Sequence, residues 1–467
     1  MRNRRTGAIA LAGAAALVVT ALLTRGGAAR LPAYLPPPAA AAPPVATALT
    51  ARDPDASPNA QAVYRELAAL ENDARAGRPD GTVIGEHIEA QNELYNAQYG
   101  DYPGLKTVGY YYQKAADISG KLPGFVEGDL GPGYDQPGWA TGDPRWYDRS
   151  DWPGCRPGWT YTDEVTDLLA AVWDGHPSGD AGIFGGSGTD RNCDGSVTVL
   201  PDNGGGPAGI VGMSFHEPYP GAPVKSYSGT GCEDSPEAKD PDWFSQVVDY
   251  QDNTPQYRAL LSDLSYLADH LDYFAAHDIP VLFRPYHEMN TIGCGNSFWW
   301  AGQSPSEYQG LWRITYNYLV NTRHLHNLIF VWAPLAWNGK VAGNPAAYYP
   351  GSRYVDVVAV DDYTDSPNAP GGDGYWTNDW YRALAGYGKP RMMAENDYVP
   401  ISSAQPYTLL ASPWVIWSTW GDAITGPPER NSTADVKRTY DARAGVITGG
   451  GSAQGSSFDW QALHRDH

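Results

Sequence analysis

The sequence predicts an α/β fold, a single (β/α)8 or TIM barrel with long loops at the C-terminal face of its sheet. Short β-like segments alternate with helical or irregular stretches, which implies a parallel sheet. Eight such segments can be identified, the number that this closed barrel contains, and 467 residues suffice for one barrel with insertions. The predicted strands cover residues 82–86, 107–111, 209–214, 281–284, 328–332, 355–360, 391–395 and 414–417.

Capping residues and apolar stripes predict the connecting helices. A serine followed by a first-turn proline marks a helix start at Ser57 and again at Ser304. The second start also has Glu307 at the third helical position, which completes a capping box. Apolar residues alternately four and three apart predict the longest helix. The predicted helices cover residues 58–77, 162–173, 257–278, 304–321 and 434–444.

The first 29 residues predict an export signal. Arg2, Arg4 and Arg5 precede an apolar run over residues 7–23, and small residues follow. The run is close to membrane-spanning length, so an uncleaved anchor is the alternative to a cleaved signal peptide.

The rest of the chain divides by composition. An Ala/Pro-rich linker over 30–55 is expected to precede the (β/α)8 domain over 56–448 and a Gly/Ser-rich flexible tail over 449–467. We therefore expect a secreted protein, or one tethered to the membrane at its N-terminus and facing the outside.

The charge balance strongly disfavours polyanions as ligands. Five of the 32 basic residues precede residue 51, which leaves 27 basic against 53 acidic residues in the rest of the chain. Such an acidic chain disfavours nucleic acid and favours a neutral polymer. Tryptophan (17) and tyrosine (31) are abundant, and their combined apolar and polar surfaces suit contact with sugars. No cofactor and no obligate protein partner are expected.

Four cysteines in an exported chain predict two disulfides, with free thiols as the alternative. Cys232 and Cys294 are both expected at the C-terminal face and are the favoured pair, which leaves Cys155 and Cys193. The connectivity stays open, because Cys155 and Cys193 are predicted on opposite faces of the barrel.

Two sequence patterns, an acidic loop and a histidine–glutamate pair, give only weak indications of a metal site. Asp190, Asn192 and Asp194 resemble the opening of a calcium loop, but Pro201 occupies the position of the expected glutamate. His287-Glu288 lacks the second histidine of a zinc protease. Apart from this calcium candidate, no metal is expected.

Two glutamates close predicted apolar strands, Glu288 after the fourth and Glu395 at the end of the seventh. These strands face each other across a barrel mouth, which is where such barrels keep their chemistry. A retaining glycosidase needs one carboxyl group as acid/base and a second about 5 Å away as nucleophile. The pair therefore indicates glycoside hydrolysis, whereas a single glutamate at a strand end would most often be an ordinary ion-paired residue.

An ordered series of motifs resembles glycoside hydrolase family 26. The series comprises IGEH, GIVGMSFH, FRPYHEMN with FWWAG, NLIFVWAP, YVDVVAVDDY, KPRMMAE and WVIWSTW. The likeness extends over most of residues 80–447. It implies a retaining TIM-barrel hydrolase of the kind best known as endo-β-1,4-mannanase.

The resemblance also assigns roles to individual residues. Glu288 matches the acid/base, Glu395 the nucleophile and Tyr363 the tyrosine that hydrogen-bonds the nucleophile. The other candidate substrate-binding residues are His216, Arg284, His287, Trp300 and Trp417. Among these, Trp417 matches the aromatic platform under the sugar, Arg284 is as suited to orienting carboxylates as to binding ligand, and Trp300 is more often a packing residue.

Departures from the family pattern leave the substrate open. Ser297 stands where many members have an aromatic residue, and Asn396-Asp397 follow the predicted nucleophile where many have a small residue and glycine. The prediction is an endo-acting hydrolase of β-1,4-mannan, with mixed-linkage β-glucan or xylan as alternatives. A non-catalytic polysaccharide-binding barrel is the alternative from another class, against which the presence of both carboxylates argues.

Overall fold

The structure is a computed structural model. It describes residues 46–88, 110–130, 161–175, 189–191, 197–199, 208–217, 219–221, 235–291, 298–336, 344–364, 379–403, 407–425, 430–441, 445–450 and 456–463.

Eight parallel strands form a closed barrel, which confirms the predicted fold. Each strand pairs with its neighbours in chain order, and the eighth pairs with the first to close the ring. The strands are β1 (Thr82–His87), β2 (Phe125–Leu130), β3 (Ile210–Phe215), β4 (Val281–Pro285), β5 (Leu328–Trp332), β6 (Val357–Asp362), β7 (Arg391–Glu395) and β8 (Ile416–Trp420).

The prediction of the second strand was wrong. Residues 110 and 111 of the segment assigned to it begin a helix, and the strand lies instead at Phe125–Leu130. Glu127 and Asp129 interrupt this segment, so it lacks the apolar run that marks a buried strand. The other seven strands lie within three residues of their predicted positions.

Helices surround the barrel, and the five predicted ones are confirmed. The longer helices are α1 (Pro58–Arg75), α2 (Tyr110–Ser119), α3 (Tyr161–Asp174), α6 (Pro255–Ala276), α7 (Pro305–Tyr316) and α11 (Thr433–Asp441). Shorter ones are α4 (Pro236–Lys239), α5 (Trp243–Val247), α8 (Asp379–Leu384), α9 (Thr408–Ala411), α10 (Gly421–Thr425) and α12 (Trp460–Leu463). The expected serine caps are present, since Ser57 and Ser304 accept backbone N–H groups of α1 and α7.

The two segments predicted as linker and flexible tail are partly packed. Thr47 is buried and donates its N–H to Asn72 of α1 at 2.8 Å, and Asp53 contacts His326 at 2.7 Å. At the other end, Phe458, Trp460 and Leu463 are buried in the hydrophobic core. The linker prediction is therefore wrong for residues 46–55, and the flexible-tail prediction for 456–463.

Several predictions fall outside the described residues. These are the four cysteines Cys155, Cys193, Cys232 and Cys294, the calcium candidates Asn192 and Asp194, and the export segment. Asp190 lies in a short hairpin formed by Thr189–Arg191 and Val197–Val199. Over the described ranges, no helix has the length and apolar character needed to cross a bilayer.

Candidate active site

A β-bulge in β7 turns Glu395 into the barrel. Met393 pairs with Val360 of β6, but Glu395 pairs with Asp361, so that Ala394 is an extra residue. Side chains alternate between the two faces of a strand, and without the extra residue Glu395 would share the outward face of Met393. The bulge instead places Glu395 on the inward face, beside Asp361.

Arg284 lies at the centre of the barrel mouth and binds three carboxylates. Its side chain is fully buried and donates to Glu127 at 2.8 and 3.1 Å, to Asp361 at 3.0 Å and to Glu395 at 2.5 Å. Burial opposes the charge on the guanidinium, but these carboxylates raise the pKa of Arg284 well above its ordinary value. Arg284 therefore orients carboxylates, one of its two predicted roles, and is not exposed to a ligand.

The turn after β4 presents Glu288 in a strained conformation. Tyr286 and Glu288 both have positive φ, 51° and 54°, a region that residues other than glycine rarely occupy. The Glu288 N–H donates to Ala333 at 2.9 Å, just beyond the end of β5. Such strain, about 1–3 kcal/mol per residue, accumulates at functional sites. The turn leaves Glu288 partly exposed, although the strand before it is buried.

The two predicted catalytic carboxylates meet across the mouth. One carboxylate oxygen each from Glu288, Asp361 and Glu395 lie within 4.8 Å of one another. The Tyr363 hydroxyl donates to Glu395 Oε2 at 2.8 Å, while Arg284 occupies Oε1. Burial, and then the charges of Glu395 and Glu288, raise the pKa of Asp361 well above its usual range although Arg284 lowers it. Glu395 is thus held by two donors and lies beside a carboxyl group whose pKa is raised.

Trp300 supports the site from behind. It is fully buried, stacks on Phe298 at 4.5 Å between ring centroids, and donates its indole N–H to the His287 carbonyl at 2.7 Å. The proposed substrate contact by Trp300 was therefore wrong, because its ring has no exposed surface. His287 is also buried, and burial followed by the charge on Arg284 lowers the pKa of its imidazole well below the ordinary value.

Strand β8 offers a different platform from the one predicted. Trp417 is fully buried and donates to the Tyr398 carbonyl at 3.1 Å. Trp420 lies three residues on, hence on the opposite, inward face, and is partly exposed. Its ring stacks on His87 with centroids 4.1 Å apart. The assignment of Trp417 as the sugar platform was wrong, and Trp420 is the aromatic residue that the fold presents to the mouth.

The sequence interpretation missed the buried polar residues beneath the two glutamates. His216 was a predicted site residue. Its Nδ1 lies 3.4 Å from the carboxylate of Asp129 on β2, which the sequence interpretation did not include. Glu127 and Asp129 alternate on one face of β2, a period-two signal that could have been read once the strand was placed correctly. His87 at the end of β1 and Asp361 at the end of β6 closed predicted strands in the same manner as the two glutamates.

The fold and the site together define a class. Two carboxylates, one after β4 and one at the end of β7, lie within 4.8 Å of each other at the barrel mouth, and an arginine and a tyrosine hold the second. This is the arrangement of a barrel glycoside hydrolase. A sequence model of glycosyl hydrolase family 26 matches residues 203–447, more than half of the chain. The protein belongs to glycosyl hydrolase family 26.

Individual relatives are more distant. The chain is 32% identical over 195 residues to mannan endo-1,4-beta-mannosidase A and B of Caldalkalibacillus mannanilyticus, a match that covers 40% of this chain and 33% of that protein. It is 26% identical over 312 residues to a mannan endo-1,4-beta-mannosidase of Bacillus subtilis, covering 63% and 72%. The match thus spans only about a third of the length of the first of these relatives.

Solved structures share the fold. One is a beta-mannanase from a symbiotic protist of the termite Reticulitermes speratus, complexed with gluco-manno-oligosaccharide. It superposes with a TM-score of 0.59 at 22% identity, covering 86% of this chain and 97% of that one.

Proposed function

We propose that the protein is a retaining endo-β-1,4-mannanase. The observation that carries the proposal is the approach of Glu288 and Glu395 oxygens to within 4.8 Å. Retaining glycosidases hold their carboxyl groups about 5–5.5 Å apart, whereas inverting enzymes need roughly 6.5–9.5 Å to admit a water. The short separation therefore favours direct attack by a carboxylate. The mannanase names of the relatives support the substrate class.

Glu395 is the proposed nucleophile. Its carboxylate attacks the anomeric carbon as the glycosidic C–O bond breaks, and Glu288 transfers its proton to the departing oxygen. Arg284 and Tyr363 occupy one oxygen of Glu395 each, which fixes the orientation of the attacking group.

Glu288 acts again in the second step. Formation of the glycosyl–enzyme neutralises Glu395, which lowers the electrostatic cost of an ionised Glu288. Glu288 then takes a proton from water, the oxygen of which attacks the same anomeric carbon. Breakage of the ester bond regenerates the Glu395 carboxylate, and two displacements at one carbon retain its configuration.

Variants of the two glutamates test this assignment. Glu395→Ala and Glu288→Ala are each expected to lower kcat by about 10³-fold or more, measured as reducing ends released from galactomannan. Asp269→Ala is a suitable control, because this carboxylate lies on α6 with 66% of its side chain exposed. Azide should restore turnover to Glu395→Ala with inverted product, and near-normal hydrolysis by either glutamate variant would contradict the proposal.

The substrate is the less constrained part of the proposal. Mixed-linkage β-glucan and xylan remain the alternatives, and they can be compared with galactomannan and glucomannan in one panel of soluble polysaccharides. Hydrolysis of lichenan or xylan in preference to both mannans would replace the mannan assignment. Binding without hydrolysis of any polysaccharide would favour a non-catalytic barrel.

Export belongs to the same proposal. The support is the basic, then apolar, N-terminal sequence and the acidic balance of the remaining chain. Mass spectrometry of the protein in culture medium and in membranes distinguishes a cleaved signal from an anchor, and full-length protein confined to the cytosol would contradict export.

A further inference from the structure

One buried carboxylate at the barrel mouth contacts residues of both strands that flank its own. Asp129 Oδ1 lies 3.2 Å from His87 Nε2 and 3.4 Å from His216 Nδ1, and it also accepts the hydroxyl of Ser214. Asp129 and His87 are fully buried and His216 is 3% exposed. These residues lie at the carboxyl ends of β1, β2 and β3, so a single acceptor joins three strands.

Each histidine in turn contacts an aromatic ring or a neighbour of the acid/base. His87 carries the partly exposed Trp420 on its face, with centroids 4.1 Å apart and planes inclined by 13°. His216 stacks on Phe298 at 5.3 Å and lies 5.1 Å from His287. A single histidine therefore separates Asp129 from Trp420 on one side of the site, and a second histidine separates it from Phe298 and His287 on the other.

Charge reinforces this geometry. Burial opposes ionisation, but His216 and His87 lower the pKa of Asp129 to about 2. Burial likewise opposes a charge on His87, yet Asp129 raises its pKa to about 9. An ionised carboxylate only accepts hydrogen bonds, so His87 Nε2, which is hydrogen-bonded to Asp129, must carry a proton. One anion thus fixes the rotation and the proton position of the His87 imidazole and lies within ion-pair distance of the His216 imidazole.

We propose that Asp129 is a positioning residue. It orients Trp420 through His87, and it orients Phe298 and His287 through His216. The inference rests on the proposed function, because it assigns Trp420 to substrate contact. Substrate binding on the Trp420 side and the surroundings of the acid/base would then depend on one carboxylate that touches no substrate.

A double-mutant cycle in kcat/KM tests the first link. Asp129→Ala and Trp420→Ala are each expected to lower kcat/KM by about tenfold or more, with KM rising. If Asp129 acts through Trp420, the double variant loses at least about fivefold less than the product of the two single losses. Additive losses would overturn the link. Asp129→Asn keeps an acceptor oxygen and should recover part of the loss of Asp129→Ala.

Asp53→Ala is the matched control. Asp53 is also a buried aspartate in contact with a histidine, His326 at 2.7 Å, but at the amino end of the barrel. It should lower thermal stability without changing kcat/KM, and its effect should be additive with that of Trp420→Ala. If Asp53→Ala lowered kcat/KM as much as Asp129→Ala does, the role of Asp129 would be only structural.

A second measurement does not require turnover. In nitrogen-15 NMR spectra, Asp129→Ala should shift the ring signals of His87 and His216 and the indole signal of Trp420, while Asp53→Ala should leave all three in place. An unshifted Trp420 signal would overturn the inference. Failure of the proposed function alone would appear differently, as shifted signals in a protein that hydrolyses no polysaccharide.

Discussion

The two ends of the barrel each bury a guanidinium, but they balance its charge differently. At the carboxyl end, Arg284 is shared by the three carboxylates Glu127, Asp361 and Glu395. At the amino end, Arg391 binds the single carboxylate of Glu71 on α1 at 2.8 Å. Arg391 is completed by neutral groups, since it donates to the carbonyl and hydroxyl of Tyr381 and lies over that ring.

The difference separates a structural ion pair from a functional one. Glu71 pairs with Arg391 of β7 at 2.8 Å and with Arg75 of its own helix at 2.6 Å, and this pairing holds α1 against β7. At the carboxyl end three carboxyl groups share one cation, and burial, followed by the charges of Glu395 and Glu288, raises the pKa of Asp361, so that ionisation of one group depends on the next. Crowded carboxylates of this kind are costly to stability and are characteristic of active sites.

Replacing each arginine by methionine should give the largest effects. Arg284→Met leaves buried carboxylates without their cation, so we expect it to lower the free energy of unfolding by about 3–5 kcal/mol. Arg391→Met should lower it by less, because Glu71 keeps its ion pair with Arg75 at 2.6 Å. Arg284→Met should also lower kcat by about 10²–10³-fold, because Glu395 loses an oriented donor. Arg391→Met should leave kcat of the folded enzyme unchanged.

Urea unfolding followed by tryptophan fluorescence gives the stabilities, and initial rates well below the unfolding transition give kcat. Equal losses of kcat in Arg284→Met and Arg391→Met would contradict the distinction between a functional arginine at the carboxyl end of the barrel and a structural one at the amino end.

The two tryptophans of β8 provide a smaller test of the same contrast. Trp417→Ala should cost about 3–5 kcal/mol of stability, as for other buried aromatic truncations, with little change in KM. Trp420→Ala should cost less stability but raise KM by about tenfold, the equivalent of one lost stacking contact. Thermal melts and oligosaccharide kinetics on the purified variants measure both, and the reverse pattern would restore Trp417 as the platform.

The smallest effect is expected at a buried carboxyl pair beside the mouth. Burial, and then the charge on Asp263, raise the pKa of Glu217 well above its usual range, and burial also raises the pKa of Asp263. Tyr286 donates to Glu217 at 3.1 Å. The folded state retains protons on these two carboxyl groups that the unfolded chain releases. The stability that this protonation contributes is therefore complete below about pH 4 and is lost as the pH rises.

Glu217→Gln removes one of these two protons and keeps an acceptor for Tyr286. Its unfolding temperature should match the native value at pH 4 and exceed it at pH 8, by the equivalent of about 1–2 kcal/mol. Calorimetry at the two pH values measures the difference. A variant that is less stable than the native protein at pH 8 would contradict the raised pKa.

The sequence predicted those parts of the fold and site that depend on local pattern. Apolar runs located seven strands, and the polar residues that end them located Glu288 and Glu395. The second strand was missed because Glu127 and Asp129 occupy inward positions that an apolar pattern reserves for the core. Their burial is stabilised by Arg284 and by histidines distant in sequence, so it depends on tertiary contacts.

The choice between Trp417 and Trp420 failed for another reason. Both residues lie in the motif WVIWSTW, and motif resemblance locates a segment more reliably than it assigns the two faces of a strand. The alternation along β8 and its register with His87 decide which ring points inward. If the predicted strand had been extended beyond residue 417, the alternation of its side chains would have favoured Trp420 as the inward-facing ring.

The extra residue at Ala394 separates the two halves of β7 functionally. Below it, Arg391 and Met393 face the surrounding helices, and above it Glu395 faces the mouth. A change in the lower half need not rotate the carboxylate, provided that the chain keeps its one unpaired residue. Loss of that single residue would send the carboxylate toward the helices while the barrel stayed closed, so deletion of Ala394 is expected to abolish the proposed hydrolase activity without opening the barrel.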